Sequence, residues 1–204
     1  MEFRMSITLA AMVKNEENCI AGMIRSVSNI VDEVVIVDTG STDKTLEILT
    51  GIQEVSKLIY KEFTDFGEVR TFTLRQATCE WILMLDADER IMPADLYQLA
   101  AMTQQSKYDA WLLPRHQWDN LENNPNQPEL AVFEAKVYPD WQARLFKNKL
   151  SMMYINKVHE SLTGYSNIGS LSLDKSPHIQ HYTNYFKSKE RMADSYALYD
   201  RLAK

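Results

Sequence analysis

The segment Val34-Val35-Ile36-Val37-Asp38-Thr39-Gly40-Ser41-Thr42-Asp43 decides the fold. Four consecutive β-branched aliphatics suit a strand buried on both faces, as strands of parallel sheets are. The strand has to stop at Asp38, because Asp, Gly, Ser and Thr favour turns and helix N-caps. A helix beginning near Lys44, with Leu46, Ile48 and Leu49, follows naturally. Strand, abrupt polar turn and helix together make the unit that builds a doubly wound sheet.

The unit recurs on both sides. Upstream, residues 7–12 (ITLAAM) predict a buried strand, and residues 16–29 carry Ile20, Met23, Ile24 and Val27 at helical spacing. Downstream, the pattern predicts a strand at 58–60, a helix at 66–77, a strand over Trp81-Ile82-Leu83-Met84-Leu85 and a helix at 93–105 with Pro93 in its first turn. This alternation predicts an α/β fold with a mainly parallel sheet flanked by helices. After Asp109 the texture changes. Strands are expected at 110–113 and 142–147, a long Asn- and Gln-rich loop at 117–129, and an amphipathic helix at 187–204 with Met192, Tyr196, Tyr199 and Leu202 in register. That helix reaches the last residue without a C-cap, which raises the expectation of a longer native chain. A single domain over residues 1–204 is expected, with 1–109 as one half and 110–204 as the other.

Composition narrows the function classes. Apolar content of 45% and charged content of 25% are ordinary for a soluble globular protein. Lys and Arg number 22 against 28 Asp and Glu, so the formal charge is −6. That balance repels phosphate backbones and argues against nucleic acid as the main partner. Cys19 and Cys79 form no CxxC pair, which argues against a structural zinc site. The first apolar run is interrupted by Lys14, Asn15, Glu16 and Glu17 before it could serve as a signal h-region or span a bilayer. The cytoplasm is the expected compartment.

In open α/β sheets, ligands sit beyond the carboxyl ends of the parallel strands. Three strands end in polar clusters: Val13-Lys14-Asn15-Glu16-Glu17, Asp38 to Asp43, and Asp86-Ala87-Asp88-Glu89. Two Asp at spacing two are a common accident, but at a strand end both carboxylates can reach one hard cation, which prefers oxygen ligands. The plainer alternative is a solvated acidic loop capping the helix that follows. Asp38 can accept hydrogen bonds from a base imide or ribose hydroxyls, or simply form its turn. Trp111, Trp118 and Trp141 offer stacking faces for a sugar, although core packing is the commoner use of tryptophan.

The segments VKNEE, VDTGSTDKT and FGEVRTFTLRQATCEWILMLDADE, continued by QARLFKN and KVHESL, closely resemble family 2 glycosyltransferases of the GT-A fold. The resemblance covers residues 7–181 and looks like the branch of bacterial cell-envelope sugar transferases and bacteriocin peptide glycosyltransferases. It implies inverting transfer of a sugar from a nucleotide-diphosphate donor, UDP-linked by family habit, to a hydroxyl or thiol on a glycan, lipid-linked sugar or peptide. Peripheral membrane association is compatible with such acceptors. Residue by residue, Asp38 matches the nucleoside-binding Asp, and Asp86 and Asp88 match the DxD pair. Asp88 is then the metal ligand and Asp86 a ribose or metal ligand, with Mn²⁺ or Mg²⁺ as the cation. Arg70 matches an Arg near the nucleotide, its alternative being a surface salt bridge. Asn15 and Glu16 fall in the donor-side loop. Glu160 is the candidate general base, and His181 a candidate third metal ligand. The family commonly has Asn after the Arg, where this chain has Thr71 and Phe72. Two rivals are a nucleotidyltransferase, which would show a Gly-rich basic loop after its first strand, and a non-catalytic nucleotide-sugar-binding scaffold, which would have lost the aspartates.

Overall fold

The structure, a computed structural model, describes residues 5–105, 107–119, 131–132, 138–182 and 189–203. Its strands are β1 (Ile7–Val13), β2 (Glu33–Asp38), β3 (Lys57–Tyr60), β4 (Trp81–Met84), β5 (Glu89–Ile91), β6 (Ala110–Asp119), β7 (Ala131–Val132), β8 (Asp140–Lys147), β9 (Met153–Ile155), β10 (Ser161–Thr163), β11 (Ile168–Gly169) and β12 (Ile179–His181). The helices are α1 (Ile20–Val27), α2 (Thr45–Thr50), α3 (Phe66–Arg75), α4 (Leu96–Met102) and α5 (Lys189–Leu202).

One sheet runs β3-β2-β1-β4-β8-β6-β12-β5, with β7 and β11 attached to β6. The first four strands are all parallel, as the alternating pattern predicts. Antiparallel pairing enters with β8, which lies between β4 and β6. The second half therefore extends the same sheet. Strand β1 is buried on both faces. Its Ile7, Leu9, Ala11 and Val13 pack with Ile20, Met23, Ile24 and Val27 of α1, while Ala10 joins Leu74, Ile82, Met84 and Phe146 on the other side.

Several elements differ from expectation. Helix α1 starts at Ile20, four residues later than predicted, because the polar residues before it are consumed by turns and loop contacts. The helix expected at 93–105 opens as a 3-10 turn (Pro93–Asp95), and only Leu96–Met102 is α-helical. Strand β6 runs past Pro114 to Asp119, so residues 117–119 belong to a strand. The rest of the predicted loop, 120–129, lies outside the described residues. Pro114 is tolerated because it falls between the β11 partners (Ala110, Trp111) and the β12 partners (Arg115 to Gln117) on that flank. Of the last predicted helix, residues 187, 188 and 204 are not described.

Helix α3 is capped at its N-terminus and fastened along one face. Asp65 caps it by accepting from the Glu68 N–H at 2.7 Å. The hairpin β9–β10 is then fastened to it. The Thr71 hydroxyl accepts from Tyr154 N–H at 2.8 Å, and Phe66 N–H donates to the Lys157 carbonyl at 3.1 Å. Gly67 is required at this contact, since a Cβ there would collide with the Asn156 carbonyl oxygen. Gly67→Ala should therefore push the hairpin off α3 and destabilise the fold by roughly 1–3 kcal/mol, the usual range for overpacking. Urea denaturation checks this, and a midpoint equal to wild type would show the contact to be loose.

Candidate active site

The carboxyl ends of β1, β2 and β4 lie side by side, and the three polar clusters meet there. The first two are zipped together. Asn15 N–H donates to the Ser41 hydroxyl at 2.9 Å, Glu16 N–H to the Thr45 hydroxyl at 2.7 Å, and Thr42 N–H to the Asn15 side-chain oxygen at 2.7 Å. Asn15 adopts a φ of 58°, a left-handed conformation that Asn tolerates. The Asp38 carboxylate is buried and accepts from Gly40 N–H at 2.9 Å and Ser41 N–H at 3.0 Å, with Gly40 at φ 104°. Asp38 thus shapes its own turn, and Asn15 and Glu16 brace it.

The third cluster is a closed turn. Asp86 N–H donates to the Glu89 carboxylate and Glu89 N–H to the Asp86 carbonyl, both at 2.9 Å. The Asp86 carboxylate then sits between two guanidinium groups: Arg70 Nη2 lies 2.5 Å from its Oδ1, and Arg144 Nη2 lies 2.7 Å from its Oδ2. Arg70 also donates through Nε to Glu160 Oε1 at 2.5 Å. Arg144 also reaches Glu89 at 2.9 Å, and Arg115 joins Glu89 at 3.4 Å to Asp140 at 2.6 Å. The result is an alternating series, Glu160–Arg70–Asp86–Arg144–Glu89–Arg115–Asp140. Arg115 and Asp140 face each other in the β6–β8 register.

Burial alone would raise the pKa of Asp86, but the Arg144 and Arg70 charges outweigh it and hold the carboxyl well below the usual range. Burial likewise opposes charge on Arg70 and Arg144, and Asp86 between them keeps both ionised. Tyr154 closes one side, its ring 5.7 Å from the Arg70 guanidinium carbon. Burial pushes its phenol up to about 12, so it stays neutral. Arg70 Nη1, Arg144 Nε and the Tyr154 hydroxyl have no hydrogen-bond partner among the described protein atoms.

Asp88 points elsewhere. Strand β12 runs antiparallel to β5 with His181 opposite Glu89, and Tyr182 N–H donates to the Asp88 carbonyl at 3.0 Å. This register delivers His181 Nε2 to 3.5 Å from Asp88 Oδ1, both side chains nearly buried. The Asp88 carboxylate suits Mn²⁺ or Mg²⁺, which prefer oxygen ligands, and the imidazole is the less usual member of such a set, better matched to Mn²⁺ than to Mg²⁺. Among the described residues no three His, Cys, Asp or Glu gather as a complete cage. The two side chains therefore make up part of a coordination shell and not a complete one.

Of the surface-salt-bridge alternative for Arg70, the salt bridge holds, with two carboxylates, and the surface placement does not, since the side chain is 6% exposed. Trp111 is core, and Trp118 donates to the Gln180 side chain at 2.6 Å. Sequence reasoning gave no role to Arg144, Glu89, Arg115 or Tyr154. The available signal was an arginine inside the apolar run of β8, where a charge has to find a partner.

Residues 9–164 match the description Glycosyl transferase family 2. The chain belongs to this family. It is 29% identical to a TPR repeat-containing protein of Synechococcus elongatus over 76% of this chain and 34% of the relative. It is 25% identical to the SPbeta prophage-derived glycosyltransferase SunS of Bacillus subtilis over 91% of this chain and 41% of that protein. The chain thus spans well under half the length of these curated relatives. The crystal structure of S. aureus TarS 1–349 in complex with UDP-GlcNAc aligns with a TM-score of 0.64 at 21% identity, covering 93% of this chain and 61% of that one. The two share the GT-A fold. Among the described residues no helix is long and apolar enough to cross a membrane.

Removing the Asp86 charge strands two arginines. Asp86→Asn should lower stability by on the order of 3 kcal/mol, as breaking one partner of a buried pair does, and by more than Asp88→Asn, whose carboxylate faces an imidazole at 3.5 Å. Denaturant midpoints of the two variants make the comparison, and equal losses would contradict it. The depressed folded-state pKa of Asp86 fixes the sign of its acid response. Its contribution is present above the unfolded carboxylate value of about 3.9 and is lost as pH falls through the folded value. The Asp86→Asn stability difference should therefore begin to shrink below about pH 4 and keep shrinking as the pH falls further.

Proposed function

We propose that the chain transfers a sugar, with inversion, from a nucleotide-diphosphate donor of the UDP class to an acceptor hydroxyl or thiol. The observation that carries this reading is that one residue, Arg70, ties the DxD carboxylate Asp86 to Glu160, while Asp88 is left beside His181. A donor-binding carboxylate and a candidate base are thereby fixed in one frame. TarS, whose crystal structure contains UDP-GlcNAc, and the glycosyltransferase SunS support the donor class and the reaction type.

In this reading, residues 1–109 take up the nucleotide and residues 110–204 shape the acceptor side, with Glu160 and His181 contributed by the latter. Asp38 meets the nucleoside with the hydrogen-bonding capacity that remains beyond its turn, since a carboxylate can accept about four hydrogen bonds. Asp88 and His181 would hold Mn²⁺ or Mg²⁺. Such a cation offsets the negative charge that builds on a departing diphosphate. Arg70 and Arg144 keep Asp86 ionised and stationary, so it is available to orient the ribose. Glu160 removes the proton from the acceptor as the acceptor attacks the anomeric carbon. Arg70 holds one carboxylate oxygen of Glu160 and leaves the other for this task.

Two variants test the reading. Asp88→Asn should weaken UDP binding in Mn²⁺ by at least about tenfold and leave binding in EDTA unchanged, as loss of a metal ligand would. Calorimetry giving equal affinities in Mn²⁺ would reject the ligand assignment. Glu160→Gln should bind UDP as the wild type does while release of UDP from UDP-hexoses falls by roughly 10²–10⁴-fold, the usual share of a general base. Undiminished turnover would remove Glu160 from the chemistry.

A further inference from the structure

Helix α5 is placed over the site. Arg191, Ser195 and Tyr199 recur every four residues and so share one stripe of the helix. Arg191 Nη2 donates to the Lys14 carbonyl at 2.9 Å and is paired with the Glu16 carboxylate, on the donor-side loop. Eight residues on, about 12 Å along the axis, the Tyr199 ring makes two stacks. One is on Phe66, with centroids 5.2 Å apart and planes 13° apart, and the other on His159, at 6.1 Å and 8°. Both fall within the range for offset aromatic stacking.

The two rings under Tyr199 are not arbitrary. Phe66 is one turn before Arg70 on α3, and His159 immediately precedes Glu160. Tyr199 therefore bridges the two elements that carry the Arg70–Glu160 pair. His159 is otherwise exposed and has a φ of 51°, a left-handed conformation that carries a cost for a residue other than glycine. Asn156, three residues earlier, is also left-handed at φ 72°. The turn that presents Glu160 has left-handed backbone at both points and little burial of its own, and the Tyr199 stack fastens its exposed side.

We propose that α5 is part of the active site and that Tyr199 is a positioning residue, which acts through His159 to hold the turn that presents Glu160. The claim about the turn stands on the stacking geometry. Its catalytic consequence rests on the role of Glu160 proposed above. Both stacks are made by the ring, which Tyr199→Phe retains.

Amide hydrogen exchange of the peptide covering 156–161, in the full chain, tests the hold directly. Tyr199→Ala should speed exchange at 158–160 by about tenfold or more, reporting local opening, and Tyr199→Phe should restore protection. His159→Ala, at an exposed side chain, should reproduce the effect without threatening the fold, and the double variant should add little to either. The kinetic partner is UDP-N-acetylglucosamine hydrolysis measured beside UDP affinity. In Tyr199→Ala, kcat should fall by roughly fivefold or more while the UDP Kd stays within about twofold, the split expected of a residue that serves the chemistry and not donor binding. Unchanged exchange in both alanine variants would overturn the proposal, and so would a fall in UDP affinity that matches the fall in kcat. If exchange responds as stated but Glu160→Gln retains full turnover, the hold on the turn stands and the base assignment is what has failed.

Discussion

Asp86 between Arg70 and Arg144 is the contact on which the site depends. It joins three elements distant in sequence: the end of β4, the middle of α3 and the middle of β8. Each guanidinium passes the constraint on, Arg70 to Glu160 and Arg144 to Glu89, and Glu89 closes the turn that bears Asp88. Buried ion pairs seldom add net stability against an apolar core of the same shape, because desolvation offsets attraction. What they provide here is position. Four carboxylates alternate with three guanidiniums, so no member can move without exposing a neighbour's charge.

This arrangement divides labour within Asp86-Ala87-Asp88. The first carboxylate is committed to the frame. The second lies 3.5 Å from an imidazole brought in by β12, and an imidazole can coordinate a cation where a guanidinium cannot. A sequence pattern of two equivalent aspartates thus becomes two different groups through their surroundings.

The parallel half of the fold was legible because its signals are local. The run Val34 to Val37, the stop at Asp38 and the apolar strand before Asp86 each follow from the residues themselves. The edge that gathers Asn15, Asp38 and Asp86 follows from the parallel order. The second half was less legible. Strands of two or three residues, such as β5, β11 and β12, are too short for periodicity to declare. Pro114 masked the length of β6, since its tolerance depends on which neighbours that strand has. His181 could be named as a candidate, but its nearness to Asp88 is a matter of β12–β5 register, which no local pattern encodes. Arg144 illustrates the limit best. It lies within the strand segment QARLFKN, whose local pattern shows no partner for it, because Asp86 is 58 positions away.

The central claim is that Asp86 belongs to the frame and Asp88 to the ligand. The most direct measurement is a crystal structure of the chain with UDP and Mn²⁺. The result expected is a cation on Asp88 and His181 and on the diphosphate oxygens, with Asp86 still held by Arg70 and Arg144. A cation coordinated by Asp86, with either arginine swung away from it, would contradict the claim.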